Sequence, residues 1–336
     1  MTLRQSFAGA FAFLALAAAA QAADMRPVLK APSSAPAAEQ QATGYVEVYG
    51  GWASTKLSEN ECFYGVCYSD SVRFNGWALG GAGRGNYWVS RDMSLQVDAQ
   101  AEGTSYDAND RGPDSRFSTH SFLIGGHWSW RNPQQYLFGL FAAAGDAGGG
   151  IAPAQRHALI GGEAQWYWNQ FTLYVQGGYD TTLGTIDFDI DSINAWFIRG
   201  TGRYFVNPNF LLEGTFMYAS GSIDFNFGDP SRDFQTWMWQ AKAEWRLPTA
   251  PFSLFAKYQY SETKYDTLSF HEGSIDSKTR DYRVLLGLKL HMGDKTLQQT
   301  DRAGATLDIL SPLANPTSPV MLPNFDGGRS VEPAVQ

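Results

Sequence analysis

The chain has 336 residues, a net charge of −8 and a pI near 5.1, so it lacks the basic footprint that nucleic-acid binding requires. Glycine (35), Trp (11), Tyr (16) and Phe (22) are abundant while only 17% of residues are charged. The mean hydropathy of −0.28 is the value that alternating apolar and polar residues average to, which is how lipid-facing strands escape a hydropathy plot.

The N-terminus reads as a secretory signal peptide over residues 1–22: Arg4 supplies the positive n-region, Phe11 to Ala20 an apolar core, and Ala20-Gln21-Ala22 an A-x-A cleavage site. The apolar run is short for a membrane-spanning helix of about 20 residues, and no later run is long enough. Residues 23–43 are rich in Ala, Pro, Ser and Gln and carry no strand period, which predicts a flexible periplasmic lead-in.

From Gly44 the period is two. Met93, Leu95, Val97, Ala99 and Ala101 form one face of a strand, and Ser94, Gln96, Asp98, Gln100 and Glu102 the other. Trp237, Trp239, Ala241, Ala243 and Trp245 alternate in the same way with Thr236, Gln240, Lys242, Glu244 and Arg246. Aromatics stand at strand ends (Trp128, Trp130, Trp166, Trp168, Tyr204, Trp245, Phe252), as in an interfacial girdle. Short connections such as Ser90-Arg91-Asp92 and Asn207-Pro208-Asn209 alternate with long ones near 55–72, 106–116, 145–155, 182–193, 221–233 and 262–279. The pattern predicts an all-β fold, a transmembrane antiparallel up-and-down β-barrel of about twelve strands over residues 44–292. The strands are expected near 44–54, 73–85, 93–105, 117–130, 136–144, 156–168, 171–181, 194–205, 210–220, 234–247, 251–262 and 280–292. The segment 136–144 is apolar on both faces, so its parity is open. Residues 293–336, punctuated by five prolines, are expected to be disordered periplasmic chain, with entry into the lumen as a plug the alternative.

The only two cysteines, Cys62 and Cys67, are expected to form a disulfide, because the chain is exported and no His lies near enough to complete a metal site. The start Ala23-Asp24 with Pro27, Lys30 and Pro32, and the first strand Gly44-Tyr45-Val46-Glu47-Val48-Tyr49-Gly50-Gly51-Trp52, resemble the opacity/porin-like outer-membrane β-barrels of alphaproteobacteria. The resemblance implies an outer-membrane location and a surface, structural or pore role, and it supplies no catalytic residue. That family usually has about eight strands and ends on its last one; this chain departs on both counts. Partners implied by the architecture are outer-membrane lipid, lipopolysaccharide and the barrel-assembly machinery.

If the apolar faces meet lipid, the alternate residues line a pore: Glu47, Asp98, Glu102, Glu163, Arg199, Arg203, Lys242, Arg246, Lys257, Arg283 and Lys289, with Arg84, Glu213 and Glu244 as exceptions to a drift from acids in early strands to bases in late ones. That drift predicts an acidic arc facing a basic arc and a transverse field. The sharper expectation is a narrow channel for small hydrophilic solutes, with Arg203→Ala plus Arg246→Ala shifting ion selectivity toward cations. The blander one is a non-conducting structural or surface-contact barrel whose interior charges pair. An enzyme is not expected: Ser118 shares a face with His120, but no acid on that strand completes a triad. Asp187, Asp189 and Asp191 fail the calcium-loop pattern, with Ser192 and Ile198 where Gly and Glu are required. Neither a metal nor another cofactor is expected.

Overall fold

A computed structural model describes residues 42–108, 116–149, 152–183, 190–225, 231–270, 273–310 and 313. The strands are β1 (Ala42–Phe63), β2 (Val66–Trp88), β3 (Met93–Ala108), β4 (Arg116–Asn132), β5 (Tyr136–Gly149) and β6 (Ala152–Trp168). They continue as β7 (Phe171–Thr182), β8 (Ile190–Asn207), β9 (Phe210–Phe225), β10 (Arg232–Arg246), β11 (Phe252–Phe270) and β12 (Gly273–Met292), followed by a short helix α1 (Leu297–Ala303). Each strand pairs antiparallel with its sequence neighbours, and β1 pairs with β12 from Gly44↔Met292 to Phe63↔Gly273, closing the barrel. An even strand number makes that closure antiparallel and leaves no free edge.

Side-chain alternation follows the sequence. On β3, Leu95 and Val97 are exposed on the outer face, while Ser94, Gln96 and Asp98 are buried inside. One aromatic belt holds the stacked pairs Trp128–Trp130 and Trp168–Phe171 at the short-turn end, which in outer-membrane barrels faces the periplasm. A second belt, not anticipated from sequence, runs across β8 to β12 through Trp196–Tyr218, Tyr218–Trp237, Trp239–Tyr260 and Tyr260–Tyr282, with ring centroids 4.4–5.8 Å apart. Trp237 and Trp245 mark both belts on one strand. Their separation is about 27 Å along the strand, or about 20 Å after tilt, near the apolar band of about 25 Å in such barrels.

The connections expected to be long loops at 55–72 and 262–279 are strand instead over 55–63, 66–72, 262–270 and 273–279. β1 and β2 continue past the upper belt as a hairpin whose tip, Tyr64-Gly65, has φ of 49° and 80°, the two positive values of a type I′ turn. Cys62 and Cys67 oppose each other one pair below the tip and form the expected disulfide. β11 and β12 rise beside them. These segments looked like loops because above the membrane no lipid-facing row imposes a regular alternation, and their apolar residues (Leu57, Phe63, Val66, Tyr68) are scattered among polar ones, so the apolar period that marks a strand is lost.

Inside, two rings lie over glycines. A Cβ on Gly80 would stand 2.6 Å from the Tyr49 ring, and one on Gly287 would stand 2.2 Å from the Phe255 ring. Both glycines are register partners of those aromatics, so the rings lie against the wall and leave lumen space open. Among the described residues no helix is long and apolar enough to cross a membrane.

Candidate functional site: the lumen and the C-terminal segment

The chain beyond β12, for which disorder was the first expectation and a plug in the lumen the alternative, turns back into the barrel over its described residues 293–310 and 313. Gly293 has φ +93°, and a Cβ there would stand 2.9 Å from the Ala42 carbonyl oxygen; a side chain would block the reversal. Thr296 caps α1 by accepting from the Gln299 amide at 3.1 Å. The helix is fixed at the periplasmic mouth by two strand turns. The Gln298 amide donates to the Pro208 carbonyl at 3.1 Å, and the Gln298 and Arg302 side chains donate to the Asn169 carbonyl. Leu297 packs on Phe205 and Leu211.

From Gly304 the chain climbs the lumen, and wall side chains take its backbone polar groups in turn. Trp88 donates to the Ala303 carbonyl at 2.9 Å and Arg131 to Gly304 at 2.8 Å. Gln96 both donates to the Leu307 carbonyl (2.8 Å) and accepts from its amide (3.1 Å). Gln176 donates to the Asp308 carbonyl at 2.9 Å. The apolar side chains dock in sequence: Leu307 with Leu137, Tyr167 and Tyr174; Ile309 with Leu123, Phe141, Phe197 and their neighbours; Leu313 with Ile193, Ile223, Phe234 and Tyr265 near the external end. The ambiguity of β5 is thereby explained. Leu137 and Phe141 face inward, and their apolar surface meets the inserted segment rather than water.

Between Leu307 and Ile309, the Asp308 carboxylate sits among three arginines. Arg84 Nη1 contacts Oδ1, Arg203 Nη2 lies 3.1 Å from Oδ2, and Arg199 Nη2 lies 3.8 Å from Oδ2 and donates to the Asp308 carbonyl at 3.1 Å. Arg203 also holds Asp301 at 2.8 Å and Glu213 at 2.9 Å. Charge-assisted contacts of this kind are the strong ones.

All eleven residues expected to line a pore are on the inner face, but they do not form opposed arcs. Closure puts β1 beside β12, so Glu47 lies 3.3 Å from Lys289, and Glu102 of β3 reaches across to Arg283. Lys242 and Lys289 share Glu244, at 2.6 and 3.0 Å. Asp98 and Glu163 flank His127, at 3.2 and 2.8 Å, and Tyr174 donates to Glu163. Glu47 and Glu102 are thus paired with bases across the seam, and Glu244 with lysines of its own and a nearby strand, as burial demands. Arg246 is not in this group: it lies at the mouth and donates to the Asp294 carbonyl at 2.6 Å. Lys257 has its Nζ 4.5 Å from the Tyr49 ring centroid. Beside the segment remains a cavity of 190 Å³ bordered by Tyr45, Glu47, Arg84, Lys257, Arg283 and Asp308, among others.

Sequence reading put Gln96 on the polar face of its strand without assigning it to the site, and missed His127, Arg131, Tyr174 and Gln176 on the wall and Asp301 and Asp308 on the segment. A signal was present: Ala305, Leu307 and Ile309 alternate with Thr306 and Asp308. At the external end, His120 meets Asp146 of β5 at 2.9 Å on the exposed side, so the neighbouring strand supplies an acid that β4 lacks. Among the described residues no hydrogen bond joins His120 to Ser118. Asp187 and Asp189 lie outside the described residues, as do residues 1–41, which hold the expected signal peptide and most of the lead-in, and 314–336. Asp191 is exposed.

A closed antiparallel barrel with an apolar exterior, two aromatic belts and a charged interior is a transmembrane β-barrel of the outer-membrane kind. Residues 147–297, from the end of β5 to the first residue of α1, match the family described as outer membrane protein beta-barrel domain. An outer membrane channel from Pseudomonas putida F1 shares the fold with a TM-score of 0.50 at 12% identity, over 79% of this chain and all of that one. The outer membrane protease OmpT from Escherichia coli (14% identity, 74% of this chain and 97% of that one, TM-score 0.37) and a FadL homologue from Pseudomonas aeruginosa (10%, 76% and 90%, 0.37) are also similar. No curated protein matches the chain.

Proposed function

We propose that this outer-membrane barrel is a channel for small hydrophilic solutes held closed by its own C-terminal segment, seen over residues 294–310 and at Leu313. The supporting observation is where the polar side chains of the wall point. Trp88, Gln96, Arg131, Gln176 and Arg199 hold the backbone of the inserted segment, and not only one another. A twelve-stranded wall lies between barrels that fill themselves with side chains and open sixteen-stranded porins; here the space left by the wall is filled by a segment that is not part of it. The same residues facing water would make a hydrated slot.

The second reading is a non-conducting structural barrel, favoured by the dense pairing among Glu47, Lys242, Glu244 and Lys289. The proposal further takes the chain to be exported by cleavage after Ala22, to contact lipopolysaccharide and the assembly machinery, to share ancestry with the opacity/porin-like barrels, and to have no enzymatic role. Liposome swelling with a small neutral sugar tests the channel. A chain ending at Met292 should admit the sugar and the full chain should not; a shortened chain that folds but admits nothing favours the structural reading.

A further inference from the structure

We propose that the cradle formed by Arg84, Arg199 and Arg203 is a binding site for small organic carboxylates, and that Asp308 occupies it as an internal stand-in for that ligand. The proposal deepens the channel reading and rests on it for the route by which a ligand arrives.

Three observations carry it. First, the group now in the cradle is itself a carboxylate, supplied by the inserted segment and held by three guanidinium groups of the wall. Arginine presents a planar fork matched to carboxylate oxygens; Arg84 also lies 3.8 Å from Asp98 and Arg203 also holds Asp301 and Glu213, whereas Asp308 is the one ion-pair partner of Arg199 among the described residues. Second, the charge of the cavity depends on the segment. The wall contributes seven cationic and four anionic side chains to it, and the segment adds two anions, Asp301 and Asp308. Withdrawal of the segment therefore leaves a net positive site facing water, and an arriving anion restores the balance. Third, space and a further cation are already there: the 190 Å³ cavity adjoins Asp308, and Lys257, which borders it, makes no ion pair among the described residues. A dicarboxylate placed with one end in the cradle would extend into that space.

Ligand and segment cannot share the cradle, so a carboxylate ligand displaces Asp308 by mass action. The segment's undocked population rises by the factor 1 + [L]/Kd, about elevenfold at ten times Kd. The native cysteines are joined to each other, so a cysteine at the buried Ala305 is the only free thiol and reports undocking.

The test is maleimide labelling of the full-length Ala305→Cys protein in detergent micelles, where both mouths are open, titrated with succinate. The labelling rate should rise several-fold and saturate. Sodium chloride at matched ionic strength and dimethyl succinate should not reproduce the rise, and Arg199→Gln should remove the dependence on succinate. An effect equal to that of chloride means charge screening, and no effect means an internal clamp; either overturns the proposal. Because liposome swelling is read separately, a shortened chain that conducts while succinate does nothing rejects the site and keeps the channel. Saturable displacement with no swelling keeps the site and rejects the channel.

Discussion

Replacing Asp308 with asparagine keeps the shape of the side chain and removes its charge. Removing one partner of a buried ion pair costs about 3–5 kcal/mol because the other charge is stranded. Here three arginines are affected, but Asp308 is 23% exposed, Arg203 keeps Asp301 and Glu213, and the amide oxygen still accepts one bond. These reduce the expected loss of docking to about 2 kcal/mol, or about thirtyfold in the docking equilibrium. No contact within the wall is lost, so the barrel should remain folded and heat-modifiable on gels. In planar bilayers the frequency of openings per Asp308→Asn channel should exceed that of the parent by about that factor. A folded variant whose opening frequency stays within threefold of the parent would show that the arginine cradle does not hold the segment.

Acid should tighten docking. Burial pushes Asp294 up to about 6, with the Thr300 side chain, Arg246 and Arg131 pulling back. The docked state therefore binds the extra proton, and its stability is full below about pH 4 and falls as pH rises through about 6, by about 2–3 kcal/mol. Protease accessibility of the segment should be greater at pH 8 than at pH 5, and Asp294→Asn should flatten the difference; equal accessibility at both pH values contradicts this. Ile309→Ala leaves a void against Leu123, Phe141 and Phe197 and should weaken docking by about 2–4 kcal/mol, seen as faster proteolysis of the segment with unchanged barrel melting. Cys62→Ser with Cys67→Ser should leave barrel melting unchanged, since the bridge sits at the projecting tip, while cleavage at Tyr64-Gly65 accelerates; a lower melting temperature would mean the hairpin supports the barrel.

Much of the wall was legible because lipid outside and polar groups inside impose the period of two, as on β3 and β10. Legibility failed where that contrast failed. On β5 the inner residues Leu137 and Phe141 are apolar because they meet Leu307 and Ile309, so neither face announced itself. Above the upper belt β1, β2, β11 and β12 no longer face lipid, and strands without a regular apolar row read as loops. Glu47 and Lys289 are 242 positions apart in sequence and 3.3 Å apart in space; alternation gives the face of each but says nothing of the seam that joins them. The segment was hardest, because its backbone is satisfied by wall side chains and not by a ladder, so only the short alternation at 305–309 marks it.

The most direct test of the central claim is single-channel recording of the full-length protein beside a chain ending at Met292, both shown to be folded by heat-modifiability. Closure by the C-terminal segment predicts rare openings from the full chain and steady, discrete conductance from the shortened one. Equal conductance from both, or silence from a folded shortened chain, would contradict it.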